Sequence, residues 1–393
     1  IDGADTRDID DAISIEREGE GWMLGVHIAD VSHYVRHGSI LDLDARERGT
    51  SIYYADKVIP MLPKALSNGI CSLNPQEDRL AFSALMHLTP DGRLLSWKFC
   101  KTVIRSRVQG VYSEINRMLT EGATPELEEK YREVLPELPL MQELAGLLRA
   151  RRMERGSLDL ETFEPKFLLD EQGICIGISA KGGGLSEGFI EEFMMVANQA
   201  AASFAQAEKL PHVYRVHEDP PTEKLSQLKE ILEAIGIDTA SLREPVDPKA
   251  LSAILRAARD TEQGTVVNFL ILRSMAKAKY QPDNIGHFGL ALRDYSQFTS
   301  PIRRYPDLMI HRIMSEAIAG ARSGDLHERY DSFVEEASAS SSEAELRAMN
   351  IERDCDDRYK AEYIAGHLGE RYTGTVSGAT NFGIYVSLEN TVD

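Results

Sequence analysis

The chain has 393 residues, 42 % of them hydrophobic and 27 % charged, which excludes a disordered, collagen-like or disulfide-scaffold protein and predicts two or three domains, or one large enzyme domain. Its 44 Lys and Arg stand against 63 Asp and Glu, a net charge of −19. Such a surface repels polyanions on average and, taken alone, argues against nucleic acid. A basic channel ending at a metal is compatible with an acidic exterior, so the distribution of charge must decide. No run of about 18 apolar residues occurs, and no basic segment precedes an apolar one near Ile1. Neither a membrane anchor nor a signal peptide is expected, and the protein reads as cytoplasmic and monomeric. Cys71, Cys100, Cys175 and Cys355 show no ligand-like spacing and read as reduced thiols, by default small buried hydrophobes.

In chain order, residues 1 to about 112 read as β-rich, with near-continuous apolar runs at 22–31 and 80–88 that predict strands buried on both faces. From Pro125 to Arg155 the apolar spacing becomes helical, closing at Gly156-Ser157. Two short strands are predicted within 158–180, then helices at 187–209, 222–236, 248–259, 263–279, 301–320 and 326–368. The last 25 residues alternate apolar and polar residues around a glycine-containing turn, as a β-hairpin does. Two strands are not a stable domain by themselves. The start at Ile1 inside a dense motif and the stop at Asp393 make a piece of a longer protein the expectation.

Five aspartates, Asp2, Asp5, Asp8, Asp10 and Asp11, fall within ten residues. Carboxylates so close repel one another unless a cation sits among them, and oxygen-only donors suit hard Mg²⁺ or Mn²⁺. A solvated acidic loop is the alternative, but Ile9 and Ala12 interleave the run and it leads straight into apolar sequence. No register places the glycine a calcium loop of the EF-hand type requires. Carboxylate-held metals act most commonly on phosphates.

A phosphate site is therefore sought elsewhere in the chain. In Phe298-Thr-Ser-Pro-Ile-Arg-Arg-Tyr-Pro-Asp307, Ser300 reads as a helix N-cap, Pro301 as a first-turn residue and Pro306 as a distortion inside the helix. Arg303 lies four before Asp307 and reads as its partner, which leaves Arg304 as the phosphate clamp on spacing alone. Arg273 and Lys277 share a face of the helix predicted at 263–279; they line an RNA path or are an exposed basic face. Tyr53, Tyr54 and Tyr112 lie in or beside loops where a ring stacks on a base, although a core tyrosine is the commoner case. His27, His287 and His311 read as packed or hydrogen-bonded histidines.

Several motifs in register are similar to one family. Asp2-Gly-Ala-Asp-Thr-Arg-Asp-Ile-Asp-Asp-Ala12, His27-Ile-Ala-Asp-Val-Ser32, Arg48-Gly-Thr-Ser-Ile-Tyr53, Val58-Ile-Pro-Met-Leu-Pro63, Leu66-Ser-Asn-Gly-Ile-Cys-Ser-Leu-Asn74, His287-Phe-Gly-Leu-Ala-Leu292 and 298–307 resemble the RNB catalytic domain of the RNase II/RNase R exoribonucleases. The resemblance runs over residues 1 to about 368, and Arg48 to Pro75 looks closest to the RNase R branch. Gly374, Val376, Phe382-Gly383 and Tyr385-Val386 resemble the start of the OB-fold RNA-binding domain that follows in the family. The family's preceding cold-shock domains have no counterpart in the sequence. The implied architecture is α+β: an RNB catalytic fold with a mixed β-sheet or barrel core surrounded by helices at 1–368, then an incomplete OB-fold β-barrel at 369–393.

The resemblance implies processive 3′-to-5′ hydrolysis of single-stranded RNA to nucleoside 5′-monophosphates, with Mg²⁺ at the bottom of a channel that admits single strands. Asp2, Asp8, Asp10 and Asp11 match the family's four catalytic, metal-binding aspartates, and Asp5 falls outside that set. Tyr53, rather than Tyr54, matches the tyrosine that stacks on the terminal bases, and Tyr112 is a weaker match to another aromatic near the site. The resemblance assigns the phosphate contact to Arg303 in place of Arg304. Glu352 is similar to a glutamate beside the terminal nucleotide, or is one more charge on a solvated helix; Glu191 or Glu192 matches an acidic pocket position. Where the family carries a base-clamping phenylalanine, this chain has Leu160, which packs on a base but cannot stack, unless Phe163 substitutes. The rivals are a non-catalytic RNA-binding relative, against which the four aspartates speak, and an endonuclease or DNA nuclease using the same metal chemistry.

Overall fold

A computed structural model describes residues 1–55, 57–160, 164–380 and 383–388. Its centre is an antiparallel sheet in the order β1-β2-β5-β6, built from β1 (Asp11–Glu18), β2 (Gly21–Ala29), β5 (Asp78–Leu88) and β6 (Leu94–Arg105). Between β2 and β5 run α1 (Val31–Tyr34), α2 (Ile40–Arg48) and a small hairpin, β3 (Ile52–Tyr54) with β4 (Lys57–Ile59). The apolar run that predicts β2 puts Trp22, Leu24, Val26 and Ile28 on one face, paired in register with β5 and essentially inaccessible. Burial of these side chains, at about 1.5–3 kcal/mol each, is what fixes the strand register.

Helices close over the sheet in chain order: α3 (Tyr112–Glu121), α4 (Pro125–Tyr131), α5 (Leu138–Arg155), and, after the hairpin β7 (Glu164–Leu169) and β8 (Cys175–Lys181), α6 (Leu185–Glu208). The helical stretch expected across 125–155 is broken after Tyr131 and resumes at Leu138. Strand β9 (Tyr214–Val216) pairs with β10 (Lys279–Gln281) on either side of α7 (Thr222–Ala234), α8 (Pro248–Ala258) and α9 (Gly264–Ser274). Those three helices enclose a second core, with Leu228, Leu232, Leu251, Val267 and Ile271, distinct from the main one. Helix α9 ends at Ser274, where Met275 turns to extended backbone, so Lys277 does not share a helix with Arg273 as the spacing predicts.

Helix α10 (Tyr305–Ile318) is buried along most of its length, and α11 (Ser323–Ala365) is the longest element. The start expected at Ser300 is corrected to Tyr305: Arg304 is extended, and Pro306 sits in the first turn, where its missing N–H costs nothing, instead of distorting the interior. The chain continues into β11 (Gly374–Thr380) and β12 (Gly383–Leu388), which pair only with each other among the described residues. Asp56, Glu161, Thr162, Phe163, Asn381, Phe382 and 389–393 lie outside the described residues, and with them the Phe163 substitution and the Phe382 part of the OB-fold resemblance.

Candidate active site

The acidic segment enters the sheet as β1, and its backbone is pinned on both sides. Asp2 bridges Val111 in parallel, its N–H donating to the Gly110 carbonyl and its carbonyl accepting from Tyr112 N–H, both at 2.9 Å. Ser72 fastens the next turn: its Oγ accepts Ile9 N–H at 3.0 Å and donates to the Arg7 carbonyl at 2.8 Å. The Asp10 carbonyl accepts Ala29 N–H at 2.8 Å, which joins the cluster to β2. Asp5 is exposed and Asp10 only 6 % exposed, so the segment is no solvated acidic loop.

Asp10 Oδ1 accepts the Ile302 N–H at 2.9 Å, and Arg303 Nε lies 4.0 Å from Asp10 Oδ2. Burial pushes the Asp10 carboxyl well above the ordinary carboxylate range against the pull of Arg303. Burial, and then the charges of Asp11 and Asp8, push Asp2 up to about 6, while burial raises Asp11. Asp11 Oδ2 is buried and accepts no hydrogen bond. A buried carboxylate oxygen left without a donor is costly, and a cation relieves it. Among the described residues no three His, Cys, Asp or Glu side chains already form a ligand cage. The oxygen-only donors and the unpartnered Asp11 oxygen nevertheless fit a hard divalent cation in chemistry.

Tyr53 reaches this cluster from the small hairpin. Its hydroxyl donates to Asp8 Oδ2 at 3.3 Å, and its backbone N–H donates to Glu352 Oε1 of α11 at 2.9 Å. Tyr53 as a residue remains 37 % exposed, which leaves room for a ligand. Glu352 is thus a tether of the Tyr53 hairpin rather than one more solvated charge. Tyr112 stands near Asp2 and Asp11, whose charges add to burial in raising its phenol above the ordinary value.

The two arginines reverse the roles that spacing predicts. Arg304 is the partner of Asp307, with Nε at 3.0 Å from Oδ2 and Nη2 at 2.7 Å from Oδ1, and Asp307 has no accessible surface. Arg303 points toward Asp10 with a side chain 42 % exposed. The physical reason is the extended backbone at Arg304: helical i,i+4 spacing does not apply before the helix begins. Arg304 is therefore corrected from a candidate phosphate clamp to a buried structural cation.

Glu192 is buried in an ion pair with Arg152 at 2.7 Å, and Glu191 approaches the same guanidinium at 3.3 Å, so both are structural partners of α5. Arg273 lies over the Phe269 ring, 5.3 Å from its centroid, and Lys277 is exposed. Leu160 is partly buried and packs against the second core, to which Leu158 belongs. His27 hydrogen-bonds Ser14 and Ser83, His287 accepts Leu290 N–H, and His311 donates to the Phe298 carbonyl, as packed histidines do. Sequence reasoning missed the role of Ser72, although it lies within the Leu66–Asn74 motif that carries the resemblance. It also missed the part played by Asp307, whose signal was the alternative i,i+3 spacing to Arg304.

The RNB domain family matches residues 1–320. The chain belongs to that family. This RNB protein is 40 % identical over 394 residues to Ribonuclease R 1 of Lactococcus lactis, covering 100 % of this chain and 48 % of that protein. It is 42 % identical over 392 residues to Ribonuclease R of Thermotoga maritima, covering 99 % and 55 %. The chain thus spans about half the length of these curated relatives. Mycoplasma genitalium RNase R in complex with ribose-methylated single-stranded RNA superposes with a TM-score of 0.94 at 29 % identity, over 100 % of this chain and 61 % of that one. Yeast Ssd1, a pseudonuclease, shares the fold alone, at 19 % identity and a TM-score of 0.64 over 85 % of this chain and 41 % of that one. A fold that also houses a pseudonuclease does not decide the chemistry, which falls to the residues of the site.

Proposed function

We propose that this chain is the catalytic part of a processive 3′-to-5′ exoribonuclease that hydrolyses single-stranded RNA, structured RNA included, to nucleoside 5′-monophosphates. One observation carries the reading: four aspartates, Arg303 and the half-exposed Tyr53 meet at one end of a buried sheet, and one carboxylate oxygen there has no donor. The relatives named Ribonuclease R and the Mycoplasma complexes with single-stranded and double-stranded RNA support it. Residues 1–368 are read as the catalytic unit and 369–393 as the beginning of an OB-fold domain. No helix among the described residues is long and apolar enough to cross a membrane. We place the protein in the cytoplasm, as a monomer.

Asp2, Asp8, Asp10 and Asp11 would hold Mg²⁺, or Mn²⁺ in its place. When bound, the metal activates water and offsets charge on the phosphate. Tyr53 stacks on the terminal base, a contact worth about 1–3 kcal/mol; Asp8 holds its hydroxyl and Glu352 its backbone N–H. Arg303 donates to the scissile phosphate and neutralises the charge that develops there; its fork suits two phosphate oxygens at once. Ile302 N–H holds the Asp10 carboxylate in one orientation.

The test is degradation of a single-stranded RNA labelled at its 5′ end in Mg²⁺, in parallel with excess EDTA and with a DNA strand. The expected result is metal-dependent conversion to one short end product with release of 5′-monophosphates and no loss of DNA. Asp10→Asn should abolish turnover and leave RNA binding in place. RNA bound but uncut by the unaltered chain would overturn the proposal in favour of a non-catalytic relative, and internal cuts or cut DNA would assign a different nuclease.

A further inference from the structure

The segment 299–304 that carries Ile302 and Arg303 is held from three directions by groups outside the catalytic cluster. Upstream, Phe298 N–H donates to Asn198 Oδ1 at 2.8 Å, and the Phe298 carbonyl accepts from His311 Nε2 at 2.7 Å. Downstream, the Arg303 carbonyl accepts Ser51 N–H and Thr50 Oγ1, both at 3.0 Å. Between them stands Asp307, without accessible surface, whose Oδ1 accepts Ser300 N–H at 2.8 Å while the carboxylate clasps the Arg304 guanidinium. Two groups of the segment face the catalytic cluster: Ile302 N–H on Asp10, and the Arg303 side chain.

We infer that Asp307 is a positioning residue for the reaction: through Ser300 and Arg304 it sets the loop that brings Ile302 N–H to Asp10 and the Arg303 guanidinium to the substrate phosphate. Burying an ion pair is a poor way to gain stability, because an apolar pair of similar volume does as well or better. It is a good way to fix geometry, because a carboxylate satisfied by a backbone N–H and a guanidinium fork accepts one arrangement of the turn. The turn needs that constraint. Arg304 is extended and α10 begins only at Tyr305, so the backbone hydrogen bonds that close the turn are those of Arg303 and Arg304 N–H to the Ser300 carbonyl, at 3.2 and 2.9 Å, and Asp307 fixes Ser300 itself; a displacement of about 1 Å at a reacting group costs on the order of 100-fold in rate. The inference rests on the phosphodiester reading only for the identity of the anion that Arg303 meets.

The test is a double-mutant cycle between Asp307→Asn and Arg303→Ala in the full chain, read in two ways. In RNA hydrolysis, Asp307→Asn should lower kcat by about 100-fold, the cost of a misplaced group, and should lower it by clearly less than that once Arg303 is already alanine, when only the Ile302 contact with Asp10 is left to lose. In equilibrium binding of a short single-stranded RNA in EDTA, each substitution should weaken affinity and the pair should weaken it no further than Arg303→Ala alone. The paired apolar replacement Arg304→Met with Asp307→Leu guards against a variant that fails to fold: it should keep the melting temperature and still lose kcat. Normal kcat in that folded variant, or additive losses in the cycle, would overturn the inference. If the unaltered chain does not cut RNA, the functional reading fails, while the binding cycle in EDTA still decides the role of Asp307.

Discussion

Adjacent arginines in one turn differ here because one guanidinium is enclosed and the other is not. Arg304 is held by an inaccessible carboxylate, and its removal leaves Asp307 as a buried charge with one backbone donor. Arg304→Ala should therefore cost about 3–5 kcal/mol of stability, the usual penalty for breaking a buried pair from one side. Arg303, 42 % exposed and 4.0 Å from Asp10, contributes little to stability by the same reasoning. Arg303→Ala should leave the denaturant midpoint nearly unchanged and lower RNA hydrolysis sharply. Chemical denaturation of the two variants side by side checks the assignment, and equal losses of stability would contradict it. The residue types proposed for the chemistry are legible in the sequence because five carboxylates within ten residues have few structural uses. The role of each arginine was not legible, since it depends on where a helix begins, and there the family resemblance, not the spacing, singled out Arg303.

At the scale of elements, the site depends on how closely α2 and the hairpin that follows it approach α11. Gly49, which ends α2 at φ +70, makes this contact possible: a Cβ there would stand 2.3 Å from Ala344 Cβ of α11. Gly38, just before α2, has nearly the same φ of +73 and open space around it. A non-glycine residue at positive φ costs about 1–2 kcal/mol, and overpacking adds about 1–3 kcal/mol. Gly38→Ala should pay the first cost alone and Gly49→Ala both, and only Gly49→Ala should disturb the tether between Tyr53 and Glu352. Thermal unfolding of both variants, with RNA affinity as the second readout, separates the two effects; similar losses would mean that α11 simply moves aside. Strands β2 and β5 and helices α6 to α8 lie close to where periodicity puts them, because each buries a continuous apolar face. The ends of α9 and α10 do not. Met275 and Arg304 take extended backbone that makes tertiary contacts, and nothing in the local apolar pattern records such contacts.

For the molecule as a whole, a net charge of −19 makes acid the natural direction of titration, and the raised carboxyl of Asp2 and the buried His212 then pull stability in opposite directions. Burial pushes Asp2 up to about 6, so the folded protein takes up that proton before the unfolded chain does and gains stability as pH falls through 6 toward the ordinary carboxylate value. His212 does the reverse. It is 2 % exposed, neither ring nitrogen has a hydrogen-bond partner, and burial lowers its pKa to about 3. Below the ordinary value of 6.5 the unfolded chain binds a proton that the folded one refuses. Stability contributed by neutral His212 is therefore present above 6.5 and is lost as pH falls toward 3, with a limiting slope of about 1.4 kcal/mol per pH unit. His212→Phe removes this proton and keeps every carboxylate, so the contribution of the aspartates cancels in the difference between the two proteins. The stability of His212→Phe relative to the unaltered chain should rise steadily as pH is lowered from 6 to 4, measured by urea unfolding at each pH. A difference that stays constant across that range would show that His212 finds a proton acceptor or water in the folded protein.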